Sequence, residues 1–500
     1  MARIVLGRFY GSDWRLTALV VAIALGSGAL AARSQTLGLG IAAVAAIGCL
    51  LMLGSRLTTV FLFLLTTLLF GYAFLDKGFA YIGVYPLFIS ELVLLLAVLH
   101  LVVTSTRLKL DWLHVVLIAF MAWGLARTIP YIDAYGINAL RDATLWGYGL
   151  FALTLSTAIT AKHFDRVRSL YNAAILPFLV WLPVAVLIGR QYADQIPNVL
   201  GSGVSALTLK YGDLGVHLGG IGAFLFSGLG RGLVMRRAIL ALAFTLWMVG
   251  IVVVGSANRG ALLAGLAAFA AVVLVRPTWR ALGSFAAAIV LAVGAVLALP
   301  DVTYASQRSL SAGQVIDNIT SILFDTGAPE LEGSKEWRSA WWNAILGYTI
   351  DGPYFWTGKG FGVNLADDDG FQVDTTGSLR SPHNAHLNIL ARTGVPGLAL
   401  WVALQVAFAG SLLVSYFRAR RWGASLWCQI DAWLLVYWLA LILNATVDVF
   451  FEGPQGGIWY WSVFGLGLAA IRIQRSLFDD AKRTEESAAA VAQRVSPATA

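Results

Sequence analysis

Charged residues are scarce in this 500-residue chain: they make up 12% of it, whereas hydrophobic residues make up 58%. Soluble domains carry about twice that charged fraction, so the composition excludes an ordinary soluble protein. Cysteine is also scarce, because Cys49 and Cys428 are the only two and lie far apart in or beside apolar runs. A disulfide framework and a cysteine metal site are therefore disfavoured, and each thiol is expected to be buried.

Apolar runs recur along nearly the whole chain, each of about 17–22 residues and long enough to cross a hydrocarbon core of roughly 30 Å. In lipid the backbone must satisfy its own hydrogen bonds, so these runs are predicted to be helices. The fold class is thus predicted as all-α, a polytopic helical membrane protein with about 12–14 transmembrane helices. The fourteen candidate spans are 16–32, 37–53, 57–75, 84–104, 112–129, 143–160, 169–189, 214–230, 238–255, 260–275, 281–299, 396–416, 427–447 and 457–471.

Lysine and arginine are distributed unevenly among the connections between these spans. If both termini are cytoplasmic, 22 of the 35 basic residues fall on cytoplasmic segments, most of them short. This bias favours an even number of spans with both termini inside. It also accounts for the net charge of +8, and because the basic residues form no single stripe, the charge does not indicate nucleic-acid binding.

The chain divides unevenly around one long polar segment. Residues 1–299 are predicted to hold about eleven N-terminal transmembrane helices, residues 300–384 one large outer loop, and residues 385–475 about three C-terminal transmembrane helices. Residues 476–500 are polar and rich in alanine and serine, with no apolar face to bury. They are predicted to be a disordered cytoplasmic tail.

The 300–384 loop differs from everything around it, with eleven acidic and five basic residues and therefore a net charge of −6. A structureless loop of this length is uncommon in a compact protein unless it is functional. Within it, EWRSAWWNAILGYTI places Trp337, Trp341 and Ile345 on one helical face. This spacing predicts an amphipathic helix over 336–350 that lies along the membrane surface. The glycines of the following DGPYFWTGKGFG predict tight turns.

Two histidines and an asparagine stand where this loop returns to the membrane, in SPHNAHLNILARTGVPGL at residues 381–398. Ionisable groups at such a boundary are costly unless something uses or satisfies them. Histidine titrates near neutral pH, so His383 is a candidate general base. The alternatives are that His383, Asn384 and His386 only cap the next helix, or that the histidines form a metal pair near the acidic run 367–369. No further ligand has suitable spacing for a metal, and the acidic run is interpreted as a solvated turn.

Arg259 in GSANRGALLAG is a second candidate, since it opens the tenth span on the outer side. An arginine close to a helix N-terminus is suited to a bidentate grip on a phosphate, although snorkelling to lipid headgroups would also explain it. Arg338, Arg380 and Lys210 are the other outer basic candidates. Each of them is also consistent with an ordinary solvated cation.

These motifs resemble those of the O-antigen ligase and polysaccharide polymerase family. The family signature H-N-x2-L-x2-L-x3-G-x2-G-L, at the end of a large periplasmic loop, maps to His383, Asn384, Leu387, Leu390, Gly394, Gly397 and Leu398. Arg259 in SANRGALLAG resembles the family's S-x-S-R-G motif, with Asn258 in place of serine. Arg338 in EWRSAWWNAI, followed by the glycine turn 358–362, resembles a segment of the family's loop. In LKYGDLGVHL, Lys210 and His217 stand about where the family has arginine and Pro-Asn, and the whole resemblance covers about residues 205–415.

The resemblance implies a membrane glycosyltransferase that needs no metal or other cofactor and inverts the anomeric centre. The donor would be a glycan on undecaprenyl pyrophosphate, and the acceptor a sugar hydroxyl or lipid A–core. His383 would be the catalytic base and His386 a bystander, and the groups that bind substrate and pyrophosphate would be Arg259, Arg338, Arg380, Asn384 and Lys210. The protein would lie among the lipids of the bacterial inner membrane with its active site facing the periplasm. A chain-length regulator is a further expected partner, and nucleic acid is not.

Two questions of function stay open at the level of the sequence. Ligase and polymerase differ only in their acceptor, and the long, tryptophan-rich loop slightly favours a polymerase of O-antigen or exopolysaccharide. A transporter, such as a flippase of lipid-linked oligosaccharide or a small-anion carrier, is the alternative from another class. A transporter would place charges inside the bundle, whereas an enzyme would gather Arg259 and His383 at one outer cavity.

Overall fold

The structure of the chain is a computed structural model. It describes residues 56–84, 87–104, 110–232, 237–258, 260–261, 265, 283, 290, 294, 329–373, 375 and 377–495. Arg259 and Cys49 lie outside the described residues, as do the predicted spans 16–32 and 37–53 and nearly all of 260–275 and 281–299.

The described residues are mostly helical and contain no sheet core, which confirms the predicted all-α class. Before the loop the helices are α1 Leu57–Leu75, α2 Lys77–Ala80, α3 Ile89–Thr104, α4 Trp112–Thr128, α5 Ile132–Tyr135, α6 Ile137–Gly147, α7 Gly149–Ala158, α8 Ala161–Gln191, α9 Tyr211–Ser227 and α10 Arg237–Ala257. In and after the loop they are α11 Pro329–Ile350, α12 Leu365–Asp368, α13 Ala385–Arg421, α14 Ser425–Ala445 and α15 Pro454–Val495. Two short strands, β1 Gly83–Val84 and β2 Leu87–Phe88, pair antiparallel between α2 and α3.

Each of the other ten predicted spans overlaps a helix, although the span 84–104 starts in β1 and β2. Within the described ranges, seven helices are long and apolar enough to cross a membrane: Leu57–Leu75, Trp112–Tyr135, Ala161–Gln191, Ala238–Ala257, Ala385–Arg421, Ser425–Ala445 and Pro454–Ser487. The apolar helices α3 and α7 are shorter, and the predicted span 143–160 is divided between α6 and α7. The chain is therefore a multi-pass membrane protein.

Helix α9 lies at the centre of the bundle and is almost completely buried. Its glycines allow this, because they let neighbouring helices approach closely. A Cβ at Gly220 would lie 2.5 Å from the ring of Tyr437 on α14, and one at Gly215 would lie 2.5 Å from Cα of Ala261. Helix α14 and the segment around Asn258 therefore both pack directly on α9.

Helix α13 bends sharply near its start. Gly394 has φ 70° and ψ −174°, and Pro396 follows, so residues 385–393 form a separate outer segment before the long span begins. The bend needs glycine, because φ in this range is strained for other residues and a Cβ would lie 2.5 Å from the carbonyl oxygen of Phe355. The predicted span 396–416 falls within the second segment.

The loop helix α11 buries its apolar face against protein, which corrects the prediction that it lies along the membrane surface. Trp341 and Ile345 are fully buried in a cluster with Val363, Leu365 and Leu390. The physical reason is that the loop and the first segment of α13 supply an apolar surface of their own. The interpretation of the acidic run as solvated also fails for Asp369, which is buried and accepts hydrogen bonds from Trp341 and Lys359.

Helix α15 continues to Val495, where the sequence predicted a disordered tail from residue 476. The segment AKRTEESAAAVAQR is rich in alanine, glutamate, lysine, arginine and glutamine, which have high helix propensity. Phe478 stacks on Trp422, with ring centroids 5.6 Å apart, and so ties the start of this extension to the end of α13. A helix that is already nucleated by a buried span can extend without an apolar face.

Candidate active site

The connection between α14 and α15, residues 446–453, is the place where polar groups from distant parts of the chain meet. Asp448 lies between two sequence-predicted residues, with its Oδ1 4.0 Å from Nδ1 of His383 and its Oδ2 4.0 Å from Nζ of Lys210. Nη1 of Arg338 donates to the neighbouring carbonyl of Val447 at 3.3 Å. We call residues 446–453 the hub loop, since three of the predicted site residues contact it.

Arg259 itself lies outside the described residues, but both residues beside it are described. A Cβ at Gly260 would lie 2.5 Å from Cγ2 of Val447, so the backbone next to Arg259 lies directly against the hub loop. The side chain of Asn258 accepts from the backbone N–H of Ala261 at 3.1 Å, a helix-capping contact. Asparagine thus serves here in the position where the family motif has serine.

His383 is held at the start of α13 in an unusual backbone conformation. Its φ is 52°, a left-handed value that histidine and asparagine tolerate better than most residues. The residue before it is fixed, because the carbonyl of Pro382 accepts from Nε1 of Trp342 at 2.7 Å. The His383 side chain remains 34% exposed and meets the ring of Trp337 edge to face. A reactant can therefore reach the imidazole while its backbone stays fixed.

Asn384 and His386 have structural partners that account for their presence. Oδ1 of Asn384 accepts from the backbone N–H groups of His386 and Leu387, both at 3.0 Å, which is N-cap geometry. His386 is held on both sides: its Nδ1 accepts from Nε1 of Trp401 at 3.0 Å, and its Nε2 faces the carbonyl of Ile442 at 3.3 Å. The capping interpretation therefore applies to Asn384. Both ring nitrogens of His386 already have protein partners, so His386 is not available to form a metal pair with His383.

Lys210 and Asp448 form the charged pair of the hub loop. Burial disfavours the charged lysine, but the carboxylates of Asp448, Asp213 and Asp76 outweigh it and raise the pKa of Lys210 above its usual range. Burial likewise disfavours the Asp448 carboxylate, yet Lys210 and His383 lower its pKa to about 2. At neutral pH both groups are therefore ionised, and His383 stands beside a negative charge.

A second pair of carboxyl groups lies behind Lys210. Asp76, which joins α1 to α2 with φ 51°, accepts from the backbone N–H of Lys210. Burial raises the pKa of Asp76 to about 7, although the Lys210 backbone and charge act in the opposite direction. Asp213 on α9 is 4% exposed, and its carboxyl group lies beside that of Asp76. Asp76 therefore holds the backbone of Lys210, and the charges of Asp76 and Asp213 act on its ammonium group.

Arg380 lies in a different cluster from the other predicted basic residues. Its Nη2 bonds to Oδ2 of Asp142 at 3.1 Å and to the carbonyl of Gly362 at 2.9 Å. The same Asp142 oxygen accepts from the backbone N–H of Gly362 at 3.0 Å and pairs with the fully buried Arg392 at 2.9 Å. One carboxylate on α6 thus holds two guanidinium groups and the glycine turn of the loop.

This buried cluster continues to the hub loop through Glu452. Nε of Arg392 donates to Asn388 at 3.1 Å, and Asn388 in turn donates to Glu452. The other oxygen of Glu452 accepts from the hydroxyl of Ser381 at 2.9 Å. Burial raises the pKa of Glu452, and the charge of Arg392 partly opposes this. The network fixes the loop, the start of α13 and the hub loop in one arrangement.

The sequence reasoning missed the four ionisable residues that organise this region: Asp142, Arg392, Asp448 and Glu452. The sequence does contain a feature that could have identified them, namely ionisable residues inside or beside apolar runs. Asp448 and Glu452 stand in VDVFFEGP between two apolar runs, and Arg392 interrupts the apolar ILARTGVPGL. The rule that ionisable groups at a membrane boundary need a use or a partner applies to each of them as well as to His383.

One family model matches the chain. Residues 241–402 match the family described as O-antigen ligase, about a third of the chain, from α10 through the first part of α13. The match includes Arg259, Arg338, Arg380, His383 and Asn384, and it confirms the family resemblance for this part of the chain. Comparison with curated proteins gave no match. The family implies a membrane enzyme that transfers glycosyl groups in O-antigen assembly, with a lipid-linked glycan and an acceptor as substrates.

Proposed function

We propose that this protein transfers a glycan from undecaprenyl pyrophosphate to a sugar hydroxyl at the periplasmic face of the inner membrane. The observation that carries the proposal is the position of Asp448, 4.0 Å from both His383 and Lys210. A candidate base and a candidate phosphate ligand, 173 residues apart in sequence, share one carboxylate. This arrangement supplies both requirements of glycosyl transfer: acceptance of a proton and neutralisation of a departing pyrophosphate.

His383 acts as the general base in this proposal. Asp448 stands 4.0 Å from Nδ1 of His383, and its negative charge favours a proton on that nitrogen, which leaves Nε2 free for the acceptor hydroxyl. The acceptor oxygen attacks the anomeric carbon while its proton passes to Nε2. The bond from that carbon to the pyrophosphate oxygen breaks, and the lipid pyrophosphate leaves with the electron pair. Direct displacement of this kind inverts the anomeric configuration, and base assistance contributes about 10²–10⁴-fold.

Lys210, Arg338 and Arg259 neutralise the charge that develops on the pyrophosphate. Lys210 and Asp448 are close enough for an ion pair but too far apart for a hydrogen bond, so the ammonium is free to turn towards a phosphate. Nη1 of Arg338 donates to the carbonyl of Val447, which holds a second cationic group against the hub loop, and a guanidinium matches phosphate geometry. We assign Asn384 and Arg380 to positioning, because each is committed to protein groups.

An apolar cleft gives the polyprenyl chain of the donor a place to lie. The cleft is formed by α1, α8, α9, α14 and α15, has an empty volume of about 1020 Å³ including its open mouth, and is lined by residues such as Phe70, Ile175 and Val463. His217 lines it one turn below Asp213 on α9. The cleft therefore runs along the helix whose outer end carries Lys210.

Transfer by the purified protein in lipid nanodiscs tests this function. The donor is an oligosaccharide on undecaprenyl pyrophosphate, and lipid A–core or a second lipid-linked unit is supplied separately as acceptor, each with and without a chelator. We expect a new, inverted glycosidic bond that forms equally well with chelator, and the acceptor that reacts distinguishes ligase from polymerase. Movement of the intact donor across a liposome membrane without bond formation would overturn the proposal in favour of a transporter.

A further inference from the structure

Two adjoining clefts open at the end of α13 that is farthest from His383. The first lies between α13, α15 and Trp112 of α4, and its floor includes Val406, Ala407 and Gly410. The second lies between the ends of α13 and α15. Both include Val414 and Arg418, and their empty volumes, which include the open mouth, are about 860 and 990 Å³. Together they form one continuous groove, which we call the α13–α15 groove.

The groove lies at the opposite membrane surface from the hub loop. From the bend at Gly394 to Arg421, the long segment of α13 rises about 40 Å at 1.5 Å per residue. This exceeds a hydrocarbon core of roughly 30 Å. Trp112 and Trp422 flank the groove with 54% and 40% of their surface exposed, and partly exposed tryptophans are typical of the lipid headgroup level.

The mouth of the groove is strongly basic. Arg418, Arg421, Arg475 and Lys482 line it, against the single carboxylate of Asp479. Arg475 and Lys482 have acidic neighbours, Asp111 at 3.6 Å and Glu486 at 3.7 Å. Arg418 and Arg421 are exposed and make no ion pair with another residue of the described ranges. The groove thus combines an apolar floor within the membrane and unneutralised guanidinium groups at its surface.

We propose that the α13–α15 groove binds one anionic diacyl phospholipid of that leaflet. The headgroup phosphate lies between Arg418 and Arg421, whose planar forks match phosphate oxygens. An acyl chain lies over Val406, Gly410 and Val414, and the aromatic rings border the glycerol region. The pairing of a basic mouth with an apolar floor specifies a lipid, because a free phosphate would use only the mouth. This site is independent of the glycosyl transfer proposed above.

Native mass spectrometry of the full-length protein, released from detergent, tests the site. Phosphatidylglycerol and phosphatidylethanolamine are titrated separately, with a further arm that contains inorganic phosphate as competitor. We expect one phosphatidylglycerol to be retained in preference to phosphatidylethanolamine. The double variant Arg418→Gln/Arg421→Gln should weaken its retention by about 25-fold, since each arginine near an anionic headgroup contributes about fivefold. The matched control is Arg420→Gln, an exposed arginine on the same turn that lines neither cleft.

A second variant tests the apolar floor without a change of charge. A Cβ at Gly410 would meet no atom within 4 Å, so the side chain introduced by Gly410→Leu starts in the open space of the groove. Gly189→Leu on α8, where a Cβ also meets nothing within 4 Å, is the matched control. We expect Gly410→Leu alone to reduce retention of phosphatidylglycerol. The proposal would be overturned if Gly410→Leu and Gly189→Leu retained the lipid equally well. It would also be overturned if Arg420→Gln lost as much retention as the double arginine variant, or if phosphate displaced the lipid fully.

Discussion

Replacement of Asp142 by asparagine should strongly destabilise the protein, because this carboxylate on α6 connects two guanidinium groups to the glycine turn of the loop. The Asp142 carboxylate is 4% exposed and holds Arg392 at 2.9 Å, Arg380 at 3.1 Å and the backbone N–H of Gly362 at 3.0 Å. An amide keeps the shape of the side chain but removes the charge from between two buried guanidinium groups. Removal of one partner from such a buried set costs about 3–5 kcal/mol.

Arg380→Gln should cost less, about 1–3 kcal/mol. Its side chain is 14% exposed, and Asp142 keeps Arg392 as a partner when Arg380 is lost. Because Arg380 and Arg392 share one carboxylate, the effects of Asp142→Asn and Arg380→Gln should not add. The double variant should be less destabilised than the sum of the two single variants predicts.

Unfolding by SDS in mixed micelles, followed by tryptophan fluorescence, measures these free energies. The control is Asp165→Asn, since Asp165 is 66% exposed and meets Arg168 only at 3.6 Å, and exposed pairs of this kind contribute little. A cost below about 1 kcal/mol for Asp142→Asn would refute the reasoning. If Arg380→Gln left stability unchanged but abolished transfer, Arg380 would be a substrate ligand and its assignment to positioning would be wrong.

The pKa of Asp76 is raised from its usual value near 4 to about 7 in the folded protein. At a pH between these two values the folded protein keeps a proton on Asp76 that the unfolded chain has released. Stability should therefore fall as pH rises between about 4 and 7, and unfolding midpoints of Asp76→Asn should lack that slope; an unchanged slope would contradict the assignment. Gly394→Ala should prevent recovery of folded protein in gel filtration because of its φ of 70° and the 2.5 Å contact with Phe355, whereas Gly410→Ala should be recovered normally. Asp448→Asn should lower kcat for transfer at least about tenfold, with little change in KM for the acceptor. A shift in KM alone would mean that Asp448 binds substrate instead of orienting His383.

The periodicity of the sequence was sufficient to predict the helices, because lipid allows few other structures for long apolar runs. It could not predict where the loop helix lies. The apolar face of α11 is equally suited to a membrane surface and to a protein surface, and only the tertiary contacts of Trp341 show that the partner is protein. The extension of α15 to Val495 was missed for a related reason, since a polar segment next to an anchored helix can follow its helix propensity.

The candidate site was predicted in part. The motifs identified His383 and Lys210, but no local pattern could reveal that both contact Asp448, because that contact joins α9, α13 and the hub loop across the bundle. For Arg380 the sequence suggested the wrong kind of partner. Its type and position favoured a phosphate ligand, yet its partner Asp142 lies 238 residues away. Spacing indicates which residues share a surface, whereas a buried ion pair depends on the packing of the whole fold.

The most direct test of the proposed chemistry is the rate of glycan transfer by His383→Asn. Asparagine tolerates the left-handed backbone that His383 adopts at φ 52°, so this variant should fold and bind the lipid-linked donor with unchanged affinity. We predict that its kcat falls by about 10²–10⁴-fold, with KM for the donor little altered. Transfer at the wild-type rate by the folded variant would show that His383 is not the base and would contradict the central claim.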